Sequence, residues 1–271
     1  MTECEHRTTP RPPRRHLRAS SVRAALALAC AALVLSFGVI RAAHSQGEKA
    51  KIAFVGDSTA DGLWGGLTSL VPHEACLKSN IELGRFAKNS TGLTRPDKLN
   101  WVEEVKRIGD SVRPQLFVMS LGLNDRQSVV EHGKVTLENS PEYPARYKER
   151  VTAVLKSAAA AKASLLWIGL PAMREAAADR DARDKNRFFA ESIAEFGDSA
   201  MQYVEPWKLN ASGEDKFASF GPDQKGKMIQ IRASDGEHFS PAGDLLVAAY
   251  LLPRMVATLA KAGAKLEGCG T

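Results

Sequence analysis

The chain has 271 residues, 44% hydrophobic and 25% charged, with 37 basic and 31 acidic side chains and a formal net charge of +6. Seven arginines fall in the first 46 residues against Glu3 and Glu5, so the remainder carries 30 basic and 29 acidic groups. That balance leaves no basic stripe and excludes nucleic acid as an expected partner, while about 225 residues suffice for one large domain with a buried core.

The first element is a leader. Arg7, Arg11, Arg14, Arg15, Arg18 and Arg23 precede an uncharged apolar run from Ala24 to Ile40, followed by Arg41 and the small residues Ala42 and Ala43. This pattern predicts a signal peptide or an N-terminal membrane anchor over residues 1–46 and a folded domain over 47–271. Cleavage after Ser45 fits the small residues, but the run is slightly long for a cleaved signal and slightly short for a full span, so both outcomes stand. The arginines before the run place the domain outside, periplasmic or tethered to the outer face of the inner membrane. Two cysteines then remain, Cys76 and Cys269. In an oxidising compartment they are candidates for a disulfide, against one buried and one exposed thiol. No His/Cys cluster suggests zinc.

Lys51 to Val55 reads as a buried strand ending at Gly56, and Ser58 to Val71 as a helix with Leu63, Trp64, Leu67 and Leu70 at helical spacing. Ile81 to Ala87 is a second strand candidate, Trp101 to Val112 an amphipathic helix, and Gln115 to Leu121 the clearest central strand. A long polar connection from Arg126 to Pro144 leads to a helix over Ala145–Lys162. Ser164 to Leu170 is a fourth strand; a charged segment from Arg174 feeds a helix near Asn186 to Phe196. Met201 to Val204 is a fifth strand, Lys208 to Arg232 is irregular with room for a hairpin, and Pro241 to Ala262 closes the chain as a helix. Alternating strands and helices predict a mostly parallel sheet covered on both faces, with ligands at the carboxyl ends of its strands.

Three polar motifs fall on that edge: Gly56-Asp57-Ser58, Gly122-Leu123-Asn124-Asp125 and Asp235-Gly236-Glu237-His238. Ser58 stands where the first strand turns into a helix, with free N–H groups nearby for an oxyanion. The plainer role for it is a helix N-cap. Asp57 suits a turn-stabilising role, and Asp125 a buttress for its loop. His238 has Asp235 three residues earlier, within reach if the segment forms a helical turn, and Glu237 then faces away. A carboxylate on Nδ1 leaves Nε2 free to take a serine proton. Asn124 offers a neutral amide donor, and Gly92, after Asn89-Ser90-Thr91, a backbone N–H for the same oxygen. Each motif alone has a bland alternative in an ordinary turn; their order and shared edge favour acyl transfer through a serine ester.

These blocks, with the Gly92 block, resemble the SGNH hydrolase superfamily, also called GDSL-type esterases and lipases, in order and over almost the whole domain. Thr59 departs from the leucine of the older pattern. Ser90 to Asp97 and Trp101 resemble an exported bacterial branch filed as a domain of unknown function. The resemblance implies a three-layer α/β/α, flavodoxin-like fold with a five-stranded sheet. It also implies Ser58 as nucleophile, His238 as base oriented by Asp235, and an oxyanion hole from the Ser58 and Gly92 N–H groups and the Asn124 amide. The expectation is an exported serine esterase acting on an ester substrate, an acetylated envelope polysaccharide or peptidoglycan, without metal or organic cofactor. The rivals are an O-acetyltransferase using the same serine ester and a non-catalytic polysaccharide-binding component that keeps the fold.

Overall fold

Strand β1 (Ala50–Gly56) runs through the middle of the domain because Ile52, Ala53, Phe54 and Val55 are all buried. A continuous apolar run of this kind needs cover on both faces. The computed structural model describes residues 48–205, 216–266 and 268–269. The predicted leader and its cleavage position lie outside the described residues. After β1 come α1 (Ser58–Leu70), a 3₁₀ turn (Val71–His73), α2 (Ala75–Asn80), β2 (Ile81–Arg85), α3 (Trp101–Val112) and β3 (Leu116–Ser120). The small strands β4 (Val129–Glu131) and β5 (Lys134–Thr136) precede α4 (Tyr143–Ala160), β6 (Ser164–Ile168), α5 (Ala176–Phe196) and β7 (Met201–Val204). Strands β8 (Phe220–Pro222) and β9 (Met228–Gln230) lead to α6 (Pro241–Lys261).

The central sheet has five strands in the order β2-β1-β3-β6-β7, and every pairing within it is parallel. Alternate residues of each strand feed two cores. Ala53, Val55, Phe117, Met119, Leu165 and Trp167 meet α3, α4 and α5 on one face. Ile52, Phe54, Leu116, Val118, Leu166 and Ile168 meet α1 and α6 on the other. The domain is therefore three layers, α/β/α. The chain steps from β1 outward to β2 and then returns to pair β3 on the other side of β1, so the order reverses between β1 and β3. Such a switch point leaves a crevice beyond the strand ends. The β1–β3 register, Gly56 opposite Ser120, brings the chain leaving β1 beside the chain leaving β3.

Several expected boundaries shift. Helix α5 begins at Ala176, ten residues before the predicted Asn186. Glu175 caps it by accepting from the N–H groups of Ala177 and Ala178, and ion pairs Asp179–Arg183 and Asp184–Arg187 dress its outer face. The inner face of that first half is made of Ala178, Ala182 and Lys185, residues that give little apolar signal. Helix α4 starts at Tyr143, with Pro144 in its first turn where a missing N–H costs nothing. The connection from Arg126 to Pro144 is not irregular throughout: β4 and β5 form a hairpin across His132-Gly133, both with positive φ. A second hairpin, β8–β9, lies in the segment where one was allowed for; residues 206–215 of that segment lie outside the described residues.

Cys76 in α2 and Cys269 beyond α6 are joined as a disulfide with Cα atoms 4.9 Å apart, closing a separation of 193 residues. A bridge across so long a loop restricts the unfolded chain most. Replacing both cysteines by alanine is expected to cost about 2–4 kcal/mol and to lower Tm by roughly 5–15 °C. Thermal scans with and without reductant check this; a wild-type Tm indifferent to reductant means the bridge contributes nothing.

Candidate active site

Gly56 ends β1 with φ +135, and a Cβ there would lie 1.8 Å from the carbonyl oxygen of Ser120. Only glycine permits this approach of the two strand ends. Asp57 follows, extended, and caps α1: its Oδ1 accepts from the Thr59 N–H at 2.9 Å and the Thr59 hydroxyl at 2.7 Å. The capping duty thus belongs to Asp57 rather than Ser58. Ser58 becomes the first helical residue, and its hydroxyl is left for another partner.

That partner is His238. Ser58 Oγ lies 2.7 Å from His238 Nε2, and His238 Nδ1 lies 2.8 Å from Asp235 Oδ2. The network assigns the tautomer, with Nδ1–H donated to Asp235 and the Nε2 lone pair facing the hydroxyl. The predicted helical turn between Asp235 and His238 is absent, because Gly236 takes φ +78. An Asx-type turn does the same work. Asp235 Oδ1 accepts from the N–H groups of Glu237 and His238 at 2.8 and 3.0 Å, leaving Oδ2 for the ring. Partial burial pushes the Asp235 carboxyl up, but these two N–H groups and the His238 ring outweigh it and hold it down at about 2. Glu237, expected to face away from the histidine, pairs with Arg126 at 2.6 Å, tying the histidine loop to the loop after β3.

Asn124 stands at the other end of the switch-point crevice. Its Nδ2 donates to the Thr91 carbonyl at 3.0 Å and approaches Asp57 Oδ2 at 3.4 Å. One N–H is therefore firmly used; the other, at its long distance, is the one an oxyanion could claim. The same Oδ2 accepts from the Gly122 and Leu123 N–H groups at 3.1 and 3.2 Å. Gly92 is packed so tightly on Asp125 that a Cβ would lie 2.0 Å from Oδ1. Fully buried Asp125 accepts from Leu93 N, Thr94 N, Thr94 Oγ1 and Tyr147 OH, so it does buttress, through the Gly92 block rather than its own loop. Trp101 Nε1 donates to Thr91 Oγ1, which steadies the carbonyl that holds Asn124.

The structure brings Ser58, His238 and Asp235 into one relay and sets Asn124 and Gly92 on adjoining loops. Three supports escaped the sequence reading. Thr59 donates to Asp57 and also meets Ser120 Oγ at 2.7 Å, so the departure from leucine serves the turn. Ser120 itself carried no signal inside an apolar strand. Arg232, buried in a segment read as irregular, is the third. Among the described residues no group of three or more His, Cys, Asp or Glu is placed to hold a metal.

The model of the family DUF459, described as a protein of unknown function, matches residues 51–254. The chain belongs to that family. No curated protein matches it. Among solved structures, the esterase EstA from a Pseudoalteromonas species is similar with a TM-score of 0.54 and 14% identity, over 78% of this chain and 100% of that one. A carbohydrate esterase of family 3 from Talaromyces cellulolyticus gives 0.54 and 12%, over 78% and 99%. A catalytic mutant of Axe2, an acetylxylan esterase from Geobacillus stearothermophilus, gives 0.51 and 14%, over 83% and 100%. The fold of this DUF459 member is thus the SGNH hydrolase fold.

The buried Asp57 anchors both sides of the site, and its burial has a measurable sign. Desolvation pushes its carboxyl from an ordinary 3.8 to about 6, against the Thr59 hydrogen bonds that pull it down. A folded-state value above the unfolded one means the contribution to stability is complete below the ordinary value and lost as pH rises through about 6. Asp57→Asn should therefore cost more stability at pH 5 than at pH 8, read as the shift of the urea midpoint at each pH. An equal or inverted cost contradicts the buried, raised carboxyl.

Proposed function

We propose that this DUF459 member is a serine esterase whose acyl-enzyme forms on Ser58. The relay Ser58 Oγ–His238 Nε2–His238 Nδ1–Asp235 Oδ2, with spans of 2.7 and 2.8 Å between residues 180 and 3 positions apart, is the observation that carries the reading. A hydroxyl, an imidazole in the right tautomer and a held carboxylate are what nucleophilic catalysis at an ester requires.

In the proposed reaction Oγ bonds to the acyl carbon as its proton passes to Nε2, and the carbonyl electron pair moves to the oxygen. The Ser58 and Gly92 N–H groups and the Asn124 N–H that Asp57 holds only at 3.4 Å receive that oxyanion. Collapse expels the alcohol, which takes the proton from Nε2 and leaves the acyl group on Oγ. Water then attacks the acyl carbon with His238 again accepting a proton; the carboxylic acid leaves and Oγ recovers its hydrogen. Asp235 stays ionised throughout and steadies the transient imidazolium, in keeping with a carboxyl held near 2. No step asks for a metal or an organic cofactor.

The substrate class we propose is a short acyl ester, above all an acetyl ester, of an envelope glycan. It rests on the leader pattern and on fold neighbours whose names record carbohydrate and acetylxylan esterases. A glycan hydroxyl in place of water as the second acceptor turns the same acyl-enzyme into a transferase, so the assay must count both products.

Incubation with a fluorophosphonate should label wild-type protein at Ser58 and leave Ser58→Ala unlabelled, with p-nitrophenyl acetate hydrolysis lost in parallel. Wild type that neither labels nor hydrolyses p-nitrophenyl acetate or acetylated xylan or peptidoglycan, and transfers no acetyl group, sinks the proposal. Asn124→Ala should lower kcat on the order of 10²–10³-fold with KM little changed, because the amide acts on the oxyanion rather than on the ground-state ester. Wild-type kcat in that variant removes Asn124 from the oxyanion hole.

A further inference from the structure

Among the described residues Arg232 is the most deeply buried arginine, 1% exposed. No carboxylate among the described residues is in salt-bridge contact with it. Its guanidinium donates instead to three backbone carbonyls: Nε to His238 at 3.1 Å, Nη2 to Glu237 at 2.7 Å and Nη1 to Ala172 at 2.6 Å. The Phe217 and Phe239 rings flank the cation at 5.1 and 4.9 Å. Burial pushes its pKa down to about 10, with Asp235, Asp179 and Asp244 pulling it up and Arg174 down from a distance. It is still charged at neutral pH.

A buried cation without a contacting anion is costly, and an aliphatic side chain would fill the space more cheaply. The geometry shows what the charge holds. Two of its three carbonyls belong to the loop that carries Asp235 and His238, and the third to the chain just past β6. Arg174, two residues beyond Ala172, completes the tie: its N–H donates to the Gly236 carbonyl at 3.1 Å and its Nη1 to the Ser234 carbonyl at 2.8 Å. The carbonyls of Ser234, Gly236, Glu237 and His238 are thus all taken by groups of these two arginines. The Arg232–Phe239 bridge and the Ala233 N–H to the His238 carbonyl close the loop at its base. The planar fork is what allows one side chain to satisfy carbonyls on two segments at once, which an ammonium group cannot copy.

We propose that Arg232 is a positioning residue for the Asp235–His238 pair. It fixes the loop backbone to the end of β6 and so sets where Nε2 stands relative to Ser58. The inference rests on the esterase reading for its kinetic consequence, but the placement itself is geometric and has its own readout. A hydrogen bond from Nδ1–H to a carboxylate gives a far-downfield ring-proton resonance, present or absent whatever the turnover.

The test uses Arg232→Lys, which keeps a buried cation on an apolar stem and loses the fork, together with Arg232→Ala. In folded Arg232→Lys, checked by circular dichroism, we expect the downfield His238 proton to broaden or vanish. We also expect kcat on p-nitrophenyl acetate to fall roughly 10–100-fold, the scale of a displacement near 1 Å, with KM within about threefold. Guanidinium chloride at millimolar concentration should restore part of kcat in Arg232→Ala, where methylammonium chloride should not. A sharp, unshifted His238 proton in Arg232→Lys, or kcat within twofold of wild type, overturns the proposal, since a merely structural arginine would lower Tm and leave both in place. A wild type that shows the downfield proton and turns over no ester refutes the esterase reading alone; the proton in Arg232→Lys then decides the positioning role.

Discussion

The site depends on one buried carboxylate, Asp57. It takes five donors from two directions: the Thr59 amide and hydroxyl on the α1 side, and the Gly122 and Leu123 amides with the Asn124 side chain on the β3 side. No apolar residue could join those two turns, because both are made of backbone N–H groups that water cannot reach and that need an acceptor. The register of β1 with β3 delivers the turns to the same place, and the carboxylate binds them there. Remove the charge and the amides of one turn lose their acceptor, which loosens the loop of Asn124 relative to Ser58.

A comparable device supports the other side. Asp125 does for the Gly92 block what Asp57 does for Asn124, collecting the amides of Leu93 and Thr94. On the histidine side the polarity is reversed: Arg232 and Arg174 collect carbonyls rather than amides. The site is thus a set of irregular loops whose orphan backbone groups are satisfied largely by side-chain charge, buried at Asp57, Asp125 and Arg232, instead of by sheet or helix. Regular elements supply the frame, and charges supply the register between loops. That division explains why so few of the hydrogen bonds near Ser58 belong to secondary structure.

How much of this was visible in the sequence follows from range. The strands were legible because Lys51–Val55, Gln115–Leu121 and Ser164–Leu170 are apolar runs that only a doubly covered sheet accommodates. Ser58, Asn124 and His238 were legible because each sits in a short motif just past a strand or before a helix. The start of α5 was not, since its buried face is Ala178, Ala182 and Lys185 and its ion pairs look like a solvated linker. The His132-Gly133 hairpin had a local signal, a glycine between the β-branched pairs Val129-Val130 and Val135-Thr136, that the surrounding polar residues masked. Gly236 argued against a helical turn at Asp235, and the structure follows the glycine. Arg232 had no local signal at all: its partners lie 60 residues away at Ala172 and in a loop whose path depends on tertiary contact.

The two carboxylates that order the crevice also set a limit on its electrostatics. Asp57 stands beside the place where an oxyanion would develop, and like charges at short range oppose each other most where water is excluded. The upward push on its carboxyl shows that the fold already bears a cost for that charge. Its field is offset where it matters, because Asp57 caps α1 and the helix presents its positive end to the same region. The Gly122 and Leu123 dipoles point at Asp57 and so are spent on it. What the proposed reaction leaves for substrate are the Ser58 and Gly92 N–H groups and the Asn124 N–H that Asp57 holds only at 3.4 Å. In that reaction the donor set is preorganised by subtraction: the two acids take the competing amides of Thr59, Gly122, Leu123, Leu93 and Thr94, and the few left over are those proposed to receive the oxyanion.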